Sequence, residues 1–145
     1  GKIDIIATDH APHTIEEKEK DYSESPAGIP LVQHALLSLL DHYHNGTFSL
    51  EKIVQMICHN PALRYCVKDR GFIREGYFAD LVLFDLMQTT SVSKTNLLYK
   101  CGWSPFEGHQ FRSKICSTFV NGVQAFDGNQ VVSEMGNAKA LEFER

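Results

Sequence analysis

Apolar and polar positions along the first sixty-six residues change period twice. Ile3-Asp4-Ile5-Ile6-Ala7-Thr8 is short, apolar and β-branched, and it ends on the polar cluster Asp9-His10-Ala11-Pro12-His13. This predicts a buried strand that delivers polar residues from its C-terminal end. Residues 16–24 hold five acids and two lysines and run into Ser25-Pro26-Ala27-Gly28, a pattern that predicts a solvated loop closed by a turn. From Leu31 to Tyr43 the apolar residues Val32, Leu36, Leu39, Leu40 and Tyr43 recur at helical spacing, and Asn45-Gly46 supplies a stop. A second amphipathic helix is predicted after Ser49, its face formed by Leu50, Ile53, Val54, Ile57 and Cys58. Asn60-Pro61 predicts the start of a third, short helix through Tyr65.

Beyond about Val67 the helical period gives way to short strands. Gly71-Phe72-Ile73, residues 79–85, residues 115–120 and Gln124-Ala125-Phe126 read as strands. Asn121-Gly122 and Asp127-Gly128 read as tight turns between strands. The last ten residues predict a mobile tail or a short helix. The order is thus strand, polar loop, helices and then antiparallel strands, an α/β chain. Two amphipathic helices against one strand leave apolar stripes without cover, so a partner from outside the sequence is expected. The chain also opens on Gly1-Lys2 and enters the apolar run at Ile3, which predicts a fragment of something longer.

Composition narrows the function. The chain has 145 residues, 43% hydrophobic and 22% charged, which excludes a disordered tail, a collagen-like repeat and a coiled-coil rod. Fourteen basic residues against eighteen acidic give a net charge of −4, and no basic stripe interleaves with aromatics, so nucleic acid is not an expected partner. The longest apolar run, near residues 29–40, is broken by Gln33, His34 and Ser38, so no membrane span is expected. Four cysteines without a C-x-x-C pair fit a reducing, cytoplasmic setting.

The chemistry concentrates in Asp9, His10 and His13. A carboxylate and two imidazoles at the end of a strand can bind a borderline metal such as zinc or share proton transfer. Against this stands a local reading, in which Asp9 caps the next turn and the histidines hydrogen-bond the loop backbone. Three ligands from one pentapeptide stiffened by Pro12 would strain a metal site, so only one or two of these residues are expected to touch a metal.

These residues resemble a known family. Residues 8–14, Thr-Asp-His-Ala-Pro-His-Thr, followed by Glu16-Glu17-Lys18 and the Pro26-Ala27-Gly28 turn, are similar to the carboxy-terminal third of dihydroorotases in the amidohydrolase superfamily. His59-Asn60-Pro61-Ala62, residues 76–85 and the Gly102-Trp103-Ser104-Pro105-Phe106-Glu107-Gly108 segment extend the resemblance over residues 3–130. It implies that residues 1–66 are the last β/α unit and terminal helices of a (β/α)8 TIM barrel. Residues 67–145 would then be the C-terminal part of an accessory β-sandwich domain with its tail. It further implies that Asp9 ends the eighth barrel strand, contacts zinc and serves as general base and acid. His13 would bind the carboxylate of dihydroorotate, assisted by backbone groups near Ala27 and Gly28. His10 would support the loop.

The reaction implied is the reversible interconversion of N-carbamoyl-L-aspartate and dihydroorotate, in pyrimidine biosynthesis, with two zinc ions in a complete site. In the family the H-x-H pair, the bridging lysine and the remaining histidine ligands precede the matched segment, so this chain alone is expected to be inactive. The expected partners are the small-molecule substrate and the missing N-terminal portion, with a homo-oligomer left open and no membrane. The piece alone is expected to self-associate through unpaired sheet edges and bare helix stripes. Two other readings remain: a non-catalytic dihydroorotase-like scaffold subunit, and another cyclic amidase of the allantoinase or hydantoinase type.

The other candidates have local explanations. His34 and His42 fall on the polar side of a helix, His42-Tyr43-His44 reads as a solvated face, and His59 precedes a helix start. His109 sits in a loop, Trp103 and Phe106 are expected to pack a turn, and the cysteines to be buried thiols.

Overall fold

The computed structural model describes residues 2–132 and 138–144. Residues 3–8, with the sequence of a strand, form no β ladder there. Their tie to the rest of the chain includes the Ile6 N–H, which donates to the Met56 carbonyl at 3.3 Å. A strand exists only beside a neighbour, and the described residues lay none alongside it.

Thr14 opens α1, Ile15–Lys18, where a loop was predicted. Its hydroxyl accepts from the Glu17 N–H while the Glu17 carboxylate accepts from the Thr14 N–H, a capping box. The Thr-x-x-Glu spacing was legible, but without an apolar periodicity behind it the turn is only four residues long. Lys18 Nζ then donates to the Pro26 carbonyl at 2.6 Å, closing the acidic loop onto the turn at residues 26–28.

The first long helical stretch begins with a 3-10 turn, Val32–His34, and continues as α2, Ala35–His44. The tighter first turn changes the rotation of the chain before the α period starts. Leu37, Leu39 and Leu40 are therefore buried, while Val32, predicted on the apolar face, is 57% exposed. Ser49 caps α3, Leu50–Val54, its side chain accepting from the Lys52 N–H at 3.2 Å. The third short helix predicted from Asn60-Pro61 forms, but it continues from the turn before it rather than from a capped start at Asn60. A π turn, Gln55–His59, joins α3 to α4, Asn60–Arg64. The Asn60 N–H reaches back five residues to the Gln55 carbonyl, and the widened turn makes room for Pro61, whose ring would otherwise press on the preceding turn. Ile53 and Met56 are buried, whereas Val54 is exposed.

Five strands follow: β1, Leu81–Asp85; β2, Thr90–Ser91; β3, Gln110–Phe111; β4, Lys114–Val120; and β5, Val123–Phe126. β1, β4 and β5 form an antiparallel sheet with β4 central, and β2 pairs with β3 separately. The predicted turn at Asn121-Gly122 is the β4–β5 hairpin: Val120 pairs with Val123 and both turn residues have φ near +50° and +83°, the geometry of a two-residue hairpin turn. At Asp127 the carboxylate accepts from the N–H groups of Asn129 and Gln130. Gly71-Phe72-Ile73 is not a strand; Phe72 instead stacks on His59 with ring centroids 4.3 Å apart. At the chain's end, residues predicted as tail or helix return to the body. Phe143 bridges Val67, and Lys68 N–H donates to the Glu142 carbonyl at 2.9 Å. Residues 133–137 and 145 lie outside the described residues.

The core lies between α2 and the β2–β3 pair. Leu37, Val92 and Phe111 are its buried centre, with Leu97, Phe106 and Ile115 packed around them. His34, expected on a polar helix face, is 2% exposed and stacks on Phe111. Burial pushes its pKa down, so it sits in the core as a neutral ring. The long loop between β2 and β3 is pinched at its base by two bonds, Val92 N–H to His109 carbonyl and Gly108 N–H to Val92 carbonyl, each 2.9 Å. None of the four cysteines is fully buried, and Cys66 is exposed.

Asp41 joins the end of α2 to β3. Its carboxylate accepts from the Arg112 N–H at 3.0 Å and faces His109 Nε2 at 3.0 Å. Burial works to raise the Asp41 pKa, but the Arg112 N–H, the His109 contact and the nearby positive charges outweigh it, and the net shift is downward. A depressed folded-state value stabilises the fold above the ordinary carboxylate value of 3.8 and loses that contribution as pH falls through the folded-state value. The stability difference between the wild type and Asp41→Asn is expected to be full at pH 6 and to shrink steadily in acid. Urea titrations of the two proteins at a series of pH values measure it.

Candidate functional site

The loop at residues 9–13 is built by contacts that reach across the chain. Leu31 begins the 3-10 turn with no side chain of its own to cap it. His10 takes that place: its Nδ1 accepts from the Leu31 N–H at 3.0 Å and from the Val32 N–H at 3.3 Å. Helix starts leave backbone donors without partners, and an imidazole acceptor 21 residues upstream satisfies two of them. His10 also pairs with Ile29 in a parallel bridge, and the Ala11 N–H donates to the Ile29 carbonyl at 3.2 Å. The loop carrying Asp9 and His13 is thereby laid against the Ala27-Gly28 turn.

Asp9 is exposed, and its backbone has φ +46°, in the left-handed region that a non-glycine residue seldom occupies. Among the described residues its carboxylate makes no hydrogen bond or ion pair. A strained backbone that presents an uncommitted carboxylate is a feature found at working sites. His13 is half-buried. Its N–H donates to the Ala11 carbonyl at 3.0 Å, and its Nδ1 lies 3.4 Å from the Glu17 carboxylate. Ala27 is exposed, and Gly28 has φ +96°. A Cβ on Gly28 would stand 2.4 Å from the Ala11 Cβ, so the glycine serves the contact between turn and loop.

Trp103, expected only to pack a turn, does more, and Tyr99 joins it at the loop. The Trp103 indole N–H donates to the His13 carbonyl at 2.8 Å. The Tyr99 ring lies against His10 with centroids 5.4 Å apart, and its hydroxyl accepts from the Gln33 N–H at 3.0 Å and meets His34 Nδ1 at 3.3 Å. Burial pushes the Tyr99 phenol up against the opposing pull of its hydrogen bonds. The obligatory N–H of a part-buried tryptophan was the available signal for Trp103; nothing in the sequence paired Tyr99 with His10. A cleft of about 460 Å³ opens beside the loop, lined by His10, Pro12, Val32, Gln33, Leu98, Tyr99 and Lys100. Asp9 and His13 do not line it.

No group of three or more His, Cys, Asp or Glu side chains among the described residues could hold a metal ion. His10 Nδ1 is occupied by backbone donors and His13 Nδ1 faces Glu17, and the Asp9 carboxylate is an uncommitted oxygen donor beside them. His42-Tyr43-His44 divides: His42 is exposed, while His44 Nε2 is bonded to the buried Ser113 hydroxyl at 2.9 Å. Among the described residues, no helix is long and apolar enough to cross a membrane.

The family model described as "Amidohydrolase family" matches residues 1–125, and the chain belongs to that family. It is similar to a dihydroorotase of Halobacterium salinarum, 40% identical over 90% of this chain and 31% of that protein. To a dihydroorotase of Methanosphaera stadtmanae it is 41% identical over 77% of this chain and 26% of that protein. Among solved structures it resembles L-hydantoinase (dihydropyrimidinase) from Arthrobacter aurescens, with TM-score 0.87 and 28% identity, covering 97% of this chain and 32% of that one. D-hydantoinase (dihydropyrimidinase) from Thermus sp. gives TM-score 0.82 and 26% identity, covering 91% and 30%. The chain thus spans about a third of the length of the curated relatives it matches.

Gly28→Ala is expected to lower stability by about 1–2 kcal/mol or more, because it adds both the Ala11 clash and an unfavourable φ. Ala11→Gly in the same protein should recover the steric part and leave the backbone part. Denaturant unfolding of the single and double variants separates the two.

Proposed function

We propose that this chain is the carboxy-terminal part of a zinc-dependent dihydroorotase, which interconverts dihydroorotate and N-carbamoyl-L-aspartate in pyrimidine synthesis. The observation that carries the reading is the Asp9 carboxylate: exposed, without a partner among the described residues, and held on left-handed backbone in a loop anchored by the His10 ring. Relatives named dihydroorotase at 40% and 41% identity support the choice of substrate.

The donor set tests the metal. A free carboxylate suits zinc as a single ligand, and the remaining ligands would come from residues outside this sequence. Asp9 is the residue of this chain that would hold it, and zinc, when bound, supplies Lewis acidity that activates water and polarises the amide carbonyl. In the hydrolytic direction water adds to that carbonyl carbon, a C–O bond forms and the ring C–N bond breaks. Asp9 accepts the proton released by the attacking water and returns it to the departing nitrogen, so the charge balances without another acid. His13 binds the substrate carboxylate through its ring, and backbone groups at Ala27 and Gly28 lie beside the same loop to assist.

In this reading residues 1–66 close a (β/α)8 barrel and residues 67–145 belong to an accessory β-sandwich. The unpaired segment at residues 3–8 and the exposed Leu63, Ile73, Val82 and Leu83 are the surfaces that a longer chain would cover. A second reading, a hydantoinase-type cyclic amidase, is favoured by the resemblance to the two hydantoinase structures. Assays of the full-length protein on dihydroorotate, hydantoin and allantoin separate the two. Metal analysis separates both from a non-catalytic scaffold, for which no zinc is expected where the enzyme should hold about two ions per chain.

In the full-length protein, Asp9→Ala is expected to lower kcat by at least about a hundredfold with the fold retained. His13→Ala should raise KM by about tenfold or more while largely sparing kcat. Steady-state kinetics beside circular dichroism checks both, and a near-normal rate in Asp9→Ala would overturn the assignment.

A further inference from the structure

We propose that Trp103 is a positioning residue for substrate binding, acting through His13: its indole N–H fixes the backbone from which the His13 ring is presented. The inference deepens the reading of His13 given above and rests on it. An indole N–H can only donate, and in a part-buried ring it needs an acceptor. Trp103 finds that acceptor not in its own turn but 90 residues away, at the His13 carbonyl. The His13 N–H is already bonded to the Ala11 carbonyl. Both backbone groups of His13 are therefore committed, one within its loop and one to Trp103, so the point from which the ring projects is held, while the ring itself faces the Glu17 carboxylate at 3.4 Å.

The far side of this contact is anchored. Gln33 fastens the Trp103 segment to the helical stretch: its side-chain carbonyl accepts from the Leu98 N–H at 2.8 Å, and its amide donates to the Asn96 carbonyl at 2.8 Å. Its own N–H donates to the Tyr99 hydroxyl at 3.0 Å. Next to Trp103, the buried Ser104 hydroxyl accepts from the Phe106 N–H at 3.2 Å and lies 3.4 Å from His34 Nδ1. The indole thus reaches the loop from a base fixed in the core. Loss of its N–H would leave an acceptor in a half-exposed loop that water can satisfy, so the cost falls on position rather than on folding.

The test uses the full-length protein with dihydroorotate as substrate and three variants: Trp103→Phe, His13→Ala and the double variant. Trp103→Phe keeps the aromatic body and removes the donor. It is expected to raise KM about two- to tenfold, with kcat and melting temperature little changed. The double variant should show a KM no higher than that of His13→Ala alone, because both changes remove one interaction. If His13→Ala raises KM while Trp103→Phe does not, or if the two effects multiply, the inference fails and the reading of His13 stands. If His13→Ala itself leaves KM unchanged, that reading fails instead. A lowered melting temperature with normal KM would assign Trp103 to packing and overturn the proposal. Should Trp103→Phe be too unstable to assay, Trp103→His retains a ring N–H: a KM near wild type supports the proposal and a raised one overturns it.

Discussion

The backbone donors that open the helical stretch at residues 31–34 need an acceptor, and the chain meets that need with the ring of His10. Helix starts are ordinarily capped by a short polar side chain beside them. Leu31 offers none, so the cap comes from a distant loop, and the same bond that completes the helix fixes where that loop lies. Ala11 and Ile29 then meet, Gly28 is pressed against Ala11, and Asp9, one residue before the anchored ring, is left on strained backbone with its carboxylate outward. A histidine engaged through Nδ1 in this way is a structural acceptor first. Its commitment is the reason the loop presents Asp9 rather than His10.

The core supports the loop from the other side. The β2–β3 pair pinches a long excursion whose members Tyr99 and Trp103 contact the two ends of the 9–13 loop, and His34 links that excursion to the rings of Phe106 and Phe111. The neutral state of His34, imposed by burial, suits a ring that must stack on apolar neighbours. Rigidity of the loop is therefore borrowed from a core nearly a hundred residues further along the chain.

Local chemistry was read well from the sequence. The Ser49 cap, the Asn121-Gly122 hairpin and the Asp127 turn each depend on residues within a few positions, and each formed; the runs at β1, β4 and β5 also became strands because each found a partner. The loop with Asp9 and His13 and its grouping with residues 26–28 were legible too, through the motif they share with a known family. What was not legible depended on partners. The run at residues 3–8 had strand sequence without a strand beside it. His34 lay on the wrong face because a 3-10 turn altered the rotation of the helix. The contacts of Trp103 and Tyr99 join segments that no periodicity connects. The two-residue strands β2 and β3 were too short to carry a pattern.

The widened turn at residues 55–59 has a reach beyond the helix that contains it. One extra residue rotates everything after it by about 100° relative to an uninterrupted α-helix, and so sets the direction in which Asn60 projects. Asn60 stands at the end of that turn, and its amide donates to the Asp4 carbonyl at 2.6 Å. The segment leading to Asp9 is thus indexed to the angular phase of a distant helix. Trimming that helix by a single residue would turn the amide away from Asp4, and the aim of the carboxylate would shift with no change in the loop itself.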